Sequence, residues 1–395
     1  MKHFTQIKSA PQDLQDPQAG PFNGHKQIYF DHNGSTPCSP AVITAMQQYL
    51  DHGFGNPSSG HWASQPASEQ LAMARSRVAN LIGADASEIV LTSGGTEANN
   101  MAIKGVWVMA ARKGAHFITS AVEHDAVLRV HRFLRSLGAQ VTVLPVDRFG
   151  VLDPEDVVRA VRPETVLVSI MHANNETGTL QPIAQISDVL QDTDVLLHSD
   201  CAQSVGKILV DVRQLGVDML SLAGHKFGAP NGIGALFIRR NVQIAPLLHG
   251  GGQEGGRRAG TESALLAAGL AEAAKQATLE ISYNVRVLRD YFWQELATTF
   301  GTRVSLNGHP INRVPNTLSV CFPGQVGASI LGQMPHVAAT TGSACHAGCI
   351  DMSHVMLAMG ASTEQGIGTI RFSLGKTNTM QEVDHVVGLL KVIID

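Results

Sequence analysis

A chain of 395 residues with 44% hydrophobic and 16% charged side chains can bury a sizeable core, enough for one large unit and a smaller one. A net charge of -4 leaves no basic footprint for nucleic acid, and the longest apolar runs, such as 166–171, are too short to cross a membrane. Five cysteines with no CxxC pair, and no apolar segment after Lys2, exclude a disulfide framework and a secretory signal, so a reducing cytoplasm is the expected setting.

The first 27 residues are polar, carry Pro11, Pro17 and Pro21, and read as an extension. Residues 28–40 are expected to pack with the C-terminal part. From 41 to 275 short β-rich runs alternate with helical patterns. "EIVLTSGG" (88–95) is a strand running into glycines, and 99–113 follows as a helix. Strands are expected near 116, over 140–147, from 165, from 194, over 219–223 and over 234–239, with helices between them. This order predicts an α/β fold with a mostly parallel sheet between helices. After 275 the pattern changes. A long helix over 278–301 precedes "RVSLNGHP", "NTLSVCFPG" and "TIRFSLG", which read as strands of a smaller α+β unit over 276–395.

Polar residues recur just after the strands, where open α/β sheets bind ligands. Thr96, His124, Asn175, Asp200 and Lys226 are therefore expected to converge on one pocket. Each also has a plain structural reading. Thr96, after Gly94 and Gly95, suits an anion at a helix start or a simple cap. Asp200 suits a protonated heterocyclic nitrogen or a turn. His124 suits a stacked ring, a general acid or base, or a structural histidine. Lys226 is harder to set aside, because it sits among glycines between two apolar runs, "DMLSLA" and "GIGALFI". A desolvated lysine has a lowered pKa and can form a Schiff base. Pyridoxal phosphate (PLP) needs a lysine, a carboxylate and an anion site together.

At this point the chain resembles a known family. "YFDHNGSTP", "GNPSSGH", "TSGGTEANN", "SAVEHDAV", "ANNETG", "HSDCAQSVGK", "GHKFGAPNGIGAL", "GGGQEGGRRAGTES", "GSACHAG" and "IRFSLG" are similar, in order, to motifs of the class V aminotransferases. These are fold-type I PLP enzymes, and the resemblance is to their cysteine desulfurases and selenocysteine lyases. It runs from about Ile28 to the end. It implies a PLP Schiff base on Lys226, Asp200 at the pyridine nitrogen, Gln203 at the phenolic oxygen and His124 on the ring. Gly95, Thr96 and His225 would hold the phosphate, and Thr261 would reach the phosphate of a neighbouring subunit in a homodimer. Asn175, Arg371 and Asn33 would bind the substrate, L-cysteine or L-selenocysteine.

The resemblance makes Cys345 the thiol that attacks the substrate sulfur and becomes a persulfide, for delivery to an acceptor protein. Lys226 would carry the substrate Cα proton. Cys349 would relay sulfur, form a protective disulfide or do nothing; four residues from Cys345 and without partner ligands nearby, it does not suggest zinc. The chain departs from its relatives at Ala223, where a serine is usual and which Ser221 does not simply replace, and at Cys201. His346 resembles the selenocysteine lyases, whereas the spacing from Cys345 to "SHVMLAMG" resembles the bacterial desulfurases with a long cysteine loop. The ending "LLKVIID" lacks the tail that housekeeping desulfurases use to dock a scaffold protein. The alternatives are a selenocysteine lyase, an aminotransferase that would not need Cys345, and a cofactor-less binding protein, against which Lys226, Asp200, Gln203 and Arg371 argue.

Overall fold

A computed structural model describes residues 26–110, 114–277, 279–341 and 352–395. The strands in chain order are β1 Ile28–Tyr29, β2 Ile89–Thr92, β3 His116–Ser120, β4 Gln140–Leu144, β5 Thr165–Ser169 and β6 Leu196–Asp200. They continue with β7 Met219–Ala223, β8 Gly234–Ile238, β9 Ser305–Leu306, β10 Thr317–Cys321, β11 Val337–Ala338 and β12 Thr369–Ser373.

Seven strands form one sheet in the order β2-β8-β7-β6-β5-β3-β4. The pairs among β3 to β7 are parallel, because each connection carries a helix back across the sheet. Strand β8 is antiparallel to both β7 and β2, since the short glycine-rich return after β7 leaves no room for a crossover. Strand β2 thereby runs parallel to β7, and its end opens on the same edge as those of β3, β5, β6 and β7.

The interior strands are buried on both faces, and alternate residues go to opposite cores. Ile89 and Leu91 of β2, Leu220 and Leu222 of β7, and Ala235 and Phe237 of β8 pack with helices Gln65–Ile82 and Ala264–Gln276. Val90, Met219, Leu236 and Ile238 face helices Gly95–Ala110 and Asp125–Ser136 on the other side. A glycine is required where β8 begins. A Cβ on Gly234 would stand 2.5 Å from Leu222 O and 2.7 Å from Gly94 Cα. That close approach seats the turn after β2 against the sheet.

The second sheet is antiparallel, in the order β12-β10-β9. Helices Leu279–Phe300 and Met380–Ile394 share a core with it. Phe292 lies at its centre, 5.0 Å from the Phe372 ring and 5.6 Å from the Phe30 ring. Strand β1 pairs in parallel with β11, so Ile28 and Phe30 belong to this second core. Among the described residues no helix is long and apolar enough to cross a membrane.

Candidate active site

The strand ends of the large sheet, the segment after β1 and strand β12 enclose a cavity of about 510 Å³. Gly95, Thr96, His124, Asn175, Asp200, Gln203, His225, Lys226, Asn33 and Arg371 all line it. The expected convergence of residues distant in sequence is therefore present in space. Thr261 is exposed and is absent from this lining. Cys345, His346 and Cys349 lie outside the described residues, as do residues 1–25 of the N-terminal extension.

Lys226 ends the single turn Gly224–Lys226 that follows β7. Its Nζ donates to Asn33 O at 2.7 Å and Gly34 O at 2.8 Å. Burial, and then the Arg371 charge, bring its pKa down to about 8 against the pull of Asp200 and Asp31. His225 beside it is lowered to about 4 by burial and by the charges of Lys226 and Lys207, so its ring is neutral near pH 7.

Asp200 ends β6 with both carboxylate oxygens fixed. Oδ2 accepts from Asn99 Nδ2 at 2.7 Å and Oδ1 from Ala202 N at 3.0 Å. Asn99 comes from the helix after β2, so one element carries both the glycine turn and the support for Asp200. His124 caps helix Asp125–Ser136, its Nδ1 accepting from Ala126 N at 3.1 Å. With Nδ1 an acceptor, the neutral ring keeps its proton on Nε2. Behind it, Glu123 accepts from Ser120 Oγ at 2.6 Å and Met171 N at 2.9 Å, and burial raises its carboxyl to about 8.

At the turn after β2, Ser93 N donates to Glu97 Oε2 at 2.8 Å, and Arg258 holds Glu97 at 2.8 Å. The start of helix Gly95–Ala110 faces the cavity with Gly95 and Thr96 and favours an anion there. Arg371 on β12 is buried. It donates to Asn175 O at 2.8 Å and pairs with Asp31 at 2.7 Å, and its Nε has no hydrogen-bond partner. As a lining residue, Arg371 sets a guanidinium beside the cavity, the group suited to a carboxylate.

Asn33 differs from its expectation. It lines the cavity, but its amide is engaged within the protein. Nδ2 donates to Asn175 O and Thr317 Oγ1, and Oδ1 accepts from Lys207 and Asn316. Both amide hydrogens and both oxygen lone pairs are used, so Asn33 acts as a brace. Gln203 donates from Nε2 to Asn33 O at 3.0 Å and accepts at Oε1 from Lys207 Nζ at 2.5 Å. Sequence reasoning missed Asn99, Glu123 and Lys207 as individual residues, although all three stand inside the quoted motifs. The four-residue step from Gln203 to Lys207 was the available signal.

The departures resolve locally. Ala223 lines the cavity, whereas Ser221 is buried in the sheet against His198 Nε2 at 2.9 Å and supplies no hydroxyl there. Cys201 is fully buried, donates to Ser199 Oγ at 3.6 Å, and burial pushes its thiol up to about 12. It is a packing residue. The loop before Thr261 is pinned by Glu254, whose carboxylate takes Arg75 at 2.7 Å and Leu91 N at 3.1 Å. These bonds hold Glu254 at φ 50, a left-handed conformation that costs a non-glycine residue about 1 kcal/mol. Residues 342–351 are flanked by attachments to the site: Thr340 pairs with the Arg371 backbone, Ser353 Oγ donates to Glu176, and His354 Nε2 donates to Glu123 O at 2.9 Å.

The cavity thus gathers an amine titrating near neutrality, a braced carboxylate, a helix start for an anion and a guanidinium for a carboxylate. The aminotransferase class-V pattern matches residues 28–386, and the chain belongs to this family. It is 44% identical over 375 residues to the "Cysteine desulfurase IscS" of Dictyoglomus turgidum, covering 94% of this chain and 95% of that one. A solved "NIFS-LIKE PROTEIN" superposes with a TM-score of 0.87 at 33% identity, over 93% of this chain and 99% of the other. A structure described as "SspA in complex with cysteine" gives 0.80 at 36% identity, over 89% and 100%.

Proposed function

We propose that this chain is a cysteine desulfurase that uses PLP to convert L-cysteine to L-alanine and takes the sulfur onto Cys345 as a persulfide. The observation that carries the reading is the Lys226 amine, lowered to about 8 and facing the same cavity as Asp200 and Arg371. The residues fit the cofactor. Lys226 would hold the aldehyde carbon, Asp200 would keep the ring nitrogen protonated, and Gln203 would donate to the phenolic oxygen. His124 would lie against the ring, and Gly95, Thr96 and His225 would hold the phosphate. When bound, the cofactor supplies an electron sink for the substrate Cα.

The chain's own residues do the rest. Arg371 and the Asn175 side chain bind the substrate carboxylate and so fix which Cα bond faces Lys226. Lys226 Nζ, as a free amine, would take the Cα proton, and His124 Nε2 would give or take a proton. Asn99 keeps the Asp200 carboxylate aimed. The Cys345 thiolate then attacks the substrate sulfur: the carbon–sulfur bond breaks with its electron pair staying on the substrate carbon, a sulfur–sulfur bond forms, one thiol proton completes the methyl group of alanine, and the other is left with the persulfide. The attachments on both flanks of 342–351 support Cys345 in this role.

Thr261, exposed on its pinned loop, reaches the phosphate of the neighbouring subunit in a homodimer, and an acceptor protein takes the sulfur. Residues 41–275 and 276–395 act as two units, with 28–40 attached to the second. A cytoplasmic setting agrees with the free thiols Cys38, Cys201 and Cys321. The names of the relatives favour cysteine over selenocysteine and desulfuration over amino transfer. Turnover of L-cysteine beside L-selenocysteine tests the choice. Alanine from cysteine supports the reading, selenocysteine alone makes the protein a lyase, and alanine from neither sinks both.

A further inference from the structure

Lys207 is a buried amine that the reaction leaves without a task. It is 8% exposed and lies four residues after Gln203. Its Nζ donates to Gln203 Oε1 at 2.5 Å and to Asn33 Oδ1 at 2.9 Å. Burial, and then the positive charges of Lys226 and Arg371, push its pKa well below the lysine range. In either protonation state the amine has at least two N–H groups, enough for these two acceptors.

An amine donor decides which end of each amide faces it. The oxygen ends of Gln203 and Asn33 turn to Lys207, so their nitrogen ends turn away. Gln203 Nε2 then meets Asn33 O at 3.0 Å, and both residues line the cavity. Asn33 O also accepts from Lys226. The two lysines share one residue, Lys207 at its side chain and Lys226 at its backbone.

We propose that Lys207 is a positioning residue that fixes the Gln203 amide with its N–H edge to the cavity and steadies Asn33 as the acceptor that aims Lys226. The proposal rests on the reading that Lys226 carries the cofactor and Gln203 donates to its phenolic oxygen. Without the amine, the bond to Asn33 O alone orients the Gln203 amide, and the turned-over form becomes more populated. An amide oxygen facing the phenolic oxygen repels it where an N–H stabilised it. The phenolic oxygen then holds more charge, and the nitrogen linking Lys226 to the cofactor binds its proton more tightly. Arg371, Asp200 and Asp31 also act on Lys226; Lys226 and Lys207 act on His225; Lys207 and Asp31 act on His32. Apart from Lys207 itself, these groups are the same in every variant below.

The test is the visible absorbance of the resting holoprotein against pH, compared among wild type, Lys207→Met, Lys207→Gln, Gln203→Ala and the Lys207→Met/Gln203→Ala double variant. Lys207→Met is expected to raise the midpoint by about one pH unit, tenfold in proton affinity, with no further shift in the Gln203→Ala background. Lys207→Gln, which keeps a donor and serves if the methionine variant does not fold, is expected to give a smaller shift in the same direction. An unmoved midpoint in the folded Lys207 variants overturns the proposal, and so does a shift of equal size with and without Gln203. Wild type without cofactor absorbance overturns the underlying reading instead.

Discussion

The Lys226 amine can be tested before any cofactor is added. An ordinary lysine titrates near 10.5, and Lys226 at about 8. At pH 7 an amine with a pKa of about 8 is neutral in roughly one molecule in ten, and one at 10.5 in roughly one in three thousand. The free amine is therefore about 300-fold more abundant at Lys226 than at an exposed lysine. Acylation of the apoprotein with a small amine-selective reagent, read peptide by peptide by mass spectrometry across pH, gives the midpoint directly. The expected midpoint for Lys226 is about 8. Arg371→Leu removes the second cause of the shift and leaves Asp31 and Asp200 to act alone, so the midpoint moves up. The linkage has a definite sign. The folded pKa lies below the unfolded one, so between about 8 and 10.5 the unfolded chain binds the extra proton. The Lys226 contribution to stability is therefore unfavourable below pH 8 and is relieved as pH rises toward 10.5. A Lys226 midpoint near 10 would refute the desolvation argument.

Other consequences can be checked separately. Asn99→Ala removes a hydrogen bond to a buried carboxylate, worth roughly 1.5–3 kcal/mol, so turnover is expected to fall about 10- to 100-fold in steady-state assays of folded protein. Gly234→Ala forces a Cβ against Leu222 O and Gly94 Cα and should cost roughly 1–3 kcal/mol in denaturant unfolding. Glu254→Ala leaves Arg75 without its buried partner and Leu91 N without its acceptor, for a loss of about 3–5 kcal/mol by the same measurement. Cys201→Ala should leave cysteine turnover intact, and iodoacetamide at pH 8 should fail to label Cys201 in the native protein.

The large sheet was legible because its strands are buried on both faces and interrupted by helical periodicity. The pocket was legible because polar residues follow those strands at one edge. Strand order was not, since the pairing of β8 with β2 depends on the close approach of Gly234 to Gly94, which no local pattern announces. The bracing residues were hidden for a similar reason. Asn99 meets Asp200 across 101 positions and Asn33 meets Thr317 across 284, and such contacts exist only once the chain is folded. Asn33 was read as a substrate ligand because it stands in a motif that lines the site, and its hydrogen bonds within the protein add a bracing task that no local pattern announces. Ser221 and Cys201 show the converse. Strand alternation turns Ser221 into packing and Cys201 is buried just past the end of β6, and both follow from position in the fold rather than from residue type.

The most direct measurement is a single turnover of L-cysteine with the holoprotein, followed by mass spectrometry of the Cys345 peptide, in wild type and Cys345→Ala. The account predicts one added sulfur on Cys345 with one alanine released in wild type, and no sustained turnover in the variant. Alanine formed at the wild-type rate by Cys345→Ala, or a wild-type Cys345 peptide that gains no sulfur, would contradict it.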